Sequence, residues 1–98
     1  MTGIYTITNS INRKIYVGYS KNIKNRLYKH KYELRNNTHK NIYLQNAYNL
    51  NGENFFKFEI LLECNKDHLA SEEHYWCNIL NTHNKKYGYN LRPTHPDN

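Results

Sequence analysis

The sequence predicts an α+β domain, a small antiparallel sheet with helices packed on it, in the order β-β-α-α-β-α. Three observations carry this. Residues 3–8 and 14–19 are rich in Ile, Val, Tyr and Thr and flank a polar stretch, the pattern of a hairpin. Segments 22–35, 39–50 and 67–80 repeat apolar residues at helical spacing. Between the last two lies FFKFEILLE, residues 55–63, aromatic and imperfectly alternating, which suits a strand.

The hairpin turns through Asn9-Ser10-Ile11-Asn12-Arg13. Its tyrosines, Tyr5 and Tyr16, have one odd and one even number. In an unbulged hairpin they share a face only if opposed residues add to an odd value. The obvious five-residue loop, 9–13, gives an even value and opposite faces. If the two phenols act together, the hairpin has an even-length loop or a β-bulge.

Asn22 is placed to cap the first helix, with Ile23, Leu27, His30 and Leu34 on one stripe. Thr38 is the expected cap of the second, Ile42, Tyr43, Ala47 and Leu50 its apolar face and Gly52 its stop. The 55–63 segment is expected as the central strand. Asp67 is expected to cap a third helix ending near Leu80, with Leu69, Trp76 and Leu80 on one face. Asn81 to Lys86 reads as a loop, and Tyr87-Gly88-Tyr89-Asn90-Leu91 as an extended piece returning to the core. The end, RPTHPDN, offers no core residue and reads as a frayed end or the start of a linker. Residues 1–92 thus form one domain and 93–98 a tail.

A chain of 98 residues holds one domain at most. Its net charge of +6 and pI near 9.3 suit an anionic partner, nucleic acid first. Two cysteines, Cys64 and Cys77, are too few and too separated for a structural zinc site or a disulfide framework. No apolar run approaches the ~20 residues that span a membrane, and the first residues lack the regions of a signal peptide. The expectation is a reduced, cytoplasmic protein of a bacterial or phage-infected cell, monomeric in isolation.

Polar residues interrupt two of the apolar stripes. His30 lies on the first helix's stripe, with Arg26 one turn before it. Alone, that pair fits a surface arginine and a core histidine satisfied by a carbonyl. Glu73 falls between Leu69 and Trp76, whereas Glu72 lies ~100° further round and is solvated. A carboxylate on a core face needs a cation, either in a salt bridge, with Arg26 the obvious partner, or as a hard divalent metal. His39 opens the second helix, where free N–H groups favour an anion.

In order and spacing, Gly3-Ile4-Tyr5, then Tyr16-Val17-Gly18, then RLYKH, then a glutamate shortly before Trp76, then Gly88-Tyr89-Asn90, the chain resembles the GIY-YIG nuclease family from Gly3 to Asn90. NRKIYVGYSKNIKNR and YGYN bring it nearest in look to catalytic domains of phage and intron-encoded homing endonucleases. The resemblance implies a three-stranded antiparallel sheet flanked by helices, cleavage of double-stranded DNA and one divalent ion, Mg²⁺ or Mn²⁺. It assigns catalytic roles to Tyr5, Tyr16, Arg26, His30, Glu73 and Asn90, metal binding to Glu73, and substrate binding to Gly18 and His39.

The chemistry has uses for these types. Arg26 offers a permanent charge and planar donors to a phosphate. Tyr5 is placed to orient or deprotonate water, if neighbouring cations and donors lower a phenol pKa of about 10. His30 would take the proton onward, Tyr16 would share the network and Asn90 would orient groups by hydrogen bonding. Gly18 permits close approach of a ring or of the DNA backbone. The rival from another class is a basic nucleic-acid-binding module that does not cut. Within nucleases, the rivals are a restriction enzyme or a structure-specific repair nuclease.

Overall fold

The computed structural model describes residues 1–91. The tail expected at 93–98 lies outside the described residues. The elements are β1 (Gly3–Asn9), β2 (Ile15–Ser20), α1 (Ile23–Arg35), α2 (Ile42–Asn51), β3 (Phe56–Glu63) and α3 (Leu69–Leu80), with short 3-10 turns at Glu53–Phe55 and Lys66–His68. The sheet is three-stranded and antiparallel, in the order β2-β1-β3. The predicted class and element order are those observed.

The predicted place of the third strand is not. β1 is the central strand and β3 lies at an edge. β1 is buried on both faces, through Ile4 on one and Tyr5 and Ile7 on the other, whereas Ile60 and Leu61 of β3 are 41% and 36% exposed. Apolar content misled because an edge strand can carry aliphatic residues on its open side. β3 also bulges: Ile4 opposes Leu62 but Tyr5 opposes Ile60, leaving Leu61 unpaired.

In the β1–β2 hairpin Tyr5 opposes Gly18, Ile7 opposes Tyr16 and Thr8 opposes Ile15. The opposed numbers add to an odd value and residues 9–14 form an even-length connection, so Tyr5 and Tyr16 share a face. Side chains build the turn. Asn9 Oδ1 accepts from the Ile11 N–H at 3.0 Å, Asn12 Oδ1 accepts from the Lys14 N–H at 2.9 Å, and Arg13 takes a positive φ of 63°.

The sheet separates two cores. On one side Tyr5 and Ile7 pack against Ile23 and Leu34 of α1, Leu44 of α2, and Phe56 and Tyr89. On the other, Ile4 and Val17 meet Leu69 and Cys77 of α3. α1 is capped as expected, Asn22 accepting from the Asn25 N–H. α2 begins later than expected: Asn41, not Thr38, is its cap, accepting from the Leu44 N–H at 3.1 Å. Its inner face is Leu44 and Gln45, while Leu50 is 84% exposed and Ile42 and Tyr43 are also exposed. Gln45 holds that face inward by donating to the Leu34 carbonyl at 3.0 Å and accepting from the His39 N–H at 3.0 Å. Asp67 does not cap α3. It lies in the preceding 3-10 turn, which Asn65 caps.

The segment after α3 returns beside β2. Gly88 bridges Ile15 in parallel, and the Tyr89 N–H donates to the Ile15 carbonyl at 3.0 Å. A Cβ at Gly88 would lie 2.4 Å from the Thr82 Cα and 2.7 Å from the Ile15 carbonyl oxygen, so only glycine lets the strands close this tightly.

Candidate active site

The site lies along the outer side of β2, where α1 and α3 approach from opposite faces of the sheet. An open cleft of about 440 Å³ is lined by Tyr16, Arg26, His30, His39, Glu73 and Asn90. A second cleft, sharing Tyr16, Arg26 and Glu73 with the first, is lined by Tyr5 and Gly18. All eight residues singled out from the sequence therefore converge on one region.

Gly18 makes this possible. A Cβ there would lie 2.3 Å from the Tyr5 ring and 2.4 Å from its hydroxyl. The missing side chain seats the end of Tyr5 over β2, with the rings of Tyr5 and Tyr16 at 6.4 Å. The close approach is thus to a tyrosine of the chain itself.

From Tyr5 a chain of hydrogen bonds runs outward. The Tyr5 hydroxyl is 2.6 Å from His30 Nε2, and His30 Nδ1 is 2.7 Å from His39 Nε2. His39 Nδ1 accepts the Asn41 backbone N–H at 3.0 Å. His39 is therefore not at the helix start, as the sequence suggested. It precedes α2, whose free N–H groups Asn41 caps, and its ring stacks on His30 with centroids 5.0 Å apart.

Electrostatics follow from burial. The Tyr5 phenol is pushed above its ordinary range, by burial first and by Tyr16 next, with Arg26 pulling only partly the other way. Tyr16 is also raised, by burial and then by Glu73. The expected lowering of the phenol pKa is therefore not a property of the protein alone: loss of water outweighs the arginine. Burial, then His39, Arg26 and Lys29, pull His30 down to about 3, and burial lowers His39, so both imidazoles are neutral near pH 7.

Glu73 is half-buried, and burial alone raises it to about 7. Among the described residues the single ion pair is Arg35–Glu53, away from the cleft, so the salt bridge of Glu73 to Arg26 does not form. A desolvated carboxylate without a cation, opening on a polar cleft, is the donor that a hard divalent ion needs. His30, Glu33 and His39 also gather donor atoms within 4.8 Å of one another. They are poorly arranged for a metal. A ligating histidine offers its other ring nitrogen as an N–H to an acceptor, but His39 Nδ1 faces the Asn41 N–H, which is itself a donor.

Asn90 makes hydrogen bonds, to the backbone. Its amide directs both groups to one residue of β2, accepting from the Val17 N–H and donating to the Val17 carbonyl, each at 2.9 Å. It fixes the strand between Tyr16 and Gly18 rather than a reacting group. Lys29, Glu33, Lys40 and Asn41 also line the larger cleft and were missed. Lys29 could have been found, since it stands three residues after Arg26 on the same helix flank. Lys40 and Asn41 had no such signal, because the wrong start of α2 misplaced them.

Comparison with known proteins places this geometry. The GIY-YIG catalytic domain matches residues 1–90. Intron-associated endonuclease 1 of Enterobacteria phage T4 is 38% identical over 92 residues, covering 92% of this chain and 36% of that protein. The chain thus spans about a third of the length of this curated relative. Two solved structures of the catalytic domain of the homing (intron) endonuclease I-TevI, one of a mutant form, superpose with TM-scores of 0.82. They are 32% and 34% identical, and the likeness covers 96% and 94% of this chain and 96% and 99% of theirs.

Proposed function

The chain belongs to the GIY-YIG family of endonuclease catalytic domains, phosphodiester hydrolases that generally depend on a divalent metal, and from that premise we propose that it cleaves double-stranded DNA as the catalytic domain of a homing-type endonuclease. The observation that carries this reading is Glu73, a half-buried carboxylate with no salt-bridge partner among the described residues, facing a cleft that also holds Arg26 and both phenols. Glu73 would hold Mg²⁺ or Mn²⁺, and such an ion would supply charge relief at the scissile phosphate and the leaving oxygen. Arg26 donates to the non-bridging phosphate oxygens. Tyr5 and Tyr16 position the attacking water and hold its proton network. Lys29 and Lys40 flank the cleft and bind the phosphate backbone, whereas both ring nitrogens of His39 are already engaged, by His30 and by the Asn41 N–H. Asn90 keeps β2 straight under Tyr16.

Residues 1–92 are the catalytic unit and 93–98 a tail or linker start. The unit acts as a monomer, in the reducing cytoplasm where Cys64 and Cys77 stay as thiols. Among the described residues no helix is long and apolar enough to cross a membrane. The test is supercoiled plasmid DNA incubated with the domain and Mg²⁺, Mn²⁺ or a chelator. Nicking or linearisation in the metal lanes only, lost in Glu73→Gln and kept in Glu72→Gln, supports the reading. DNA retained on a gel without metal-dependent cutting would make the domain a binding module instead.

A further inference from the structure

We propose that the backbone N–H of Asn41, acting through His39, fixes His30 as a hydrogen-bond donor to Tyr5, so that His30 steadies the Tyr5 oxygen and does not receive its proton. Asn41 sets the polarity of the series. A backbone N–H only donates. Because it donates to His39 Nδ1 at 3.0 Å, that nitrogen carries its lone pair. A neutral imidazole has one N–H, so it lies on His39 Nε2.

His39 Nε2 is 2.7 Å from His30 Nδ1, which must therefore accept. The single N–H of neutral His30 is then on Nε2, 2.6 Å from the Tyr5 hydroxyl. Every donor in the series points the same way, from Asn41 towards Tyr5. The hydroxyl proton of Tyr5 is left to point on towards Tyr16. Burial raises the Tyr16 phenol, and a hydrogen bond from Tyr5 works against that rise.

For His30 to accept the Tyr5 proton at Nε2, both histidines would have to exchange tautomers. His39 would then aim Nδ1–H at the Asn41 N–H, two donors face to face in a half-buried site. The proton of Tyr5 therefore leaves through the cleft. The phenolate that remains keeps two donors, His30 Nε2–H and Arg26. His39 is a positioning residue: it acts on Tyr5 only through His30. The tautomers stand on the hydrogen bonds alone, whereas their catalytic consequence rests on the nuclease reading.

The experiment is long-range ¹H–¹⁵N spectroscopy of the histidine rings of the 98-residue chain near neutral pH, without DNA or metal. His30 and His39 should both show a protonated Nε2 and an unprotonated Nδ1. A protonated Nδ1 on His30 overturns the proposal. In His39→Gln the side-chain amide can still donate to His30 Nδ1, so the His30 tautomer should persist. In His39→Leu the His30 ring should show a mixture of tautomers, and kcat on plasmid DNA should fall by up to about 100-fold below His39→Gln, the scale for misplacing a reacting group by about 1 Å. A His39→Leu chain whose His30 keeps only Nε2–H, or which cuts as fast as His39→Gln, overturns the role of His39. Because the spectra need neither substrate nor metal, a tautomer result stands whatever the cleavage assay gives.

Discussion

Glu73 and Gly18 show how single residues set what the cleft can do. Glu73 titrates near 7 in the folded chain against about 4.5 in an ordinary carboxyl. A raised carboxyl stabilises the fold below its unfolded value, and that contribution is lost as the pH rises through about 7. A metal competes with the same proton. Mg²⁺ affinity measured by calorimetry should therefore climb by up to about tenfold per pH unit towards pH 7 and level off above it. Glu73→Gln should abolish the heat, and an affinity flat across this range would refute the assignment. At Gly18 a methyl group has no room, because Tyr5 is 1% exposed and cannot move aside. Gly18→Ala should cost about 1–3 kcal/mol by overpacking. It should also slow cleavage by displacing the Tyr5 hydroxyl. An unchanged melting temperature would mean that the ring has another place to go.

Among the elements, all six were legible in the sequence, but the start and inner face of α2 and the edge position of β3 were not. The stripe of α1 kept helical spacing from a true cap, and the place of His30 on it followed. On α3, Leu69, Glu73, Trp76 and Leu80 kept helical spacing, so Glu73 was found even though its cap was misassigned. The face of α2 was misread, apart from Ala47, because a polar residue helps to hold it inward. Gln45 is 2% exposed and is kept there by tertiary hydrogen bonds that no periodicity records. Leu44→Ala should lower stability by about 2–5 kcal/mol in urea unfolding. Leu50→Ala should change it by no more than about 0.5 kcal/mol. The reverse order would restore the face that the sequence suggested. Asn90 was legible as a residue that orients by hydrogen bonding but its partner was not, since the sequence cannot show an amide bridging 73 residues of chain to Val17. Asn90→Asp keeps the acceptor and loses the donor to the Val17 carbonyl. It should cost about 1–3 kcal/mol for an unsatisfied group, read as a lower melting temperature, with activity falling as β2 loosens.

The whole molecule carries a net charge of +6, and Arg26, Lys29 and Lys40 border its larger cleft. Binding through phosphates alone is weak, sequence-tolerant and strongly salt-dependent. The isolated domain should therefore lose DNA affinity linearly in log–log plots against salt, as measured by fluorescence anisotropy. Tight binding to one short site that resists salt would contradict this. Molecular shape adds a point about biosynthesis. Tyr87 to Asn90 dress the outer edge of β2, so the strand beneath Tyr16 is finished by some of the last described residues. A nascent chain that has reached Leu80 already carries both phenols, Arg26, His30, His39 and Glu73. It still lacks the segment that fixes Tyr16 in place. Cutting competence thus waits for residues 87–90, and a chain cut short before residue 90 holds the site residues without the segment that braces the strand beneath them.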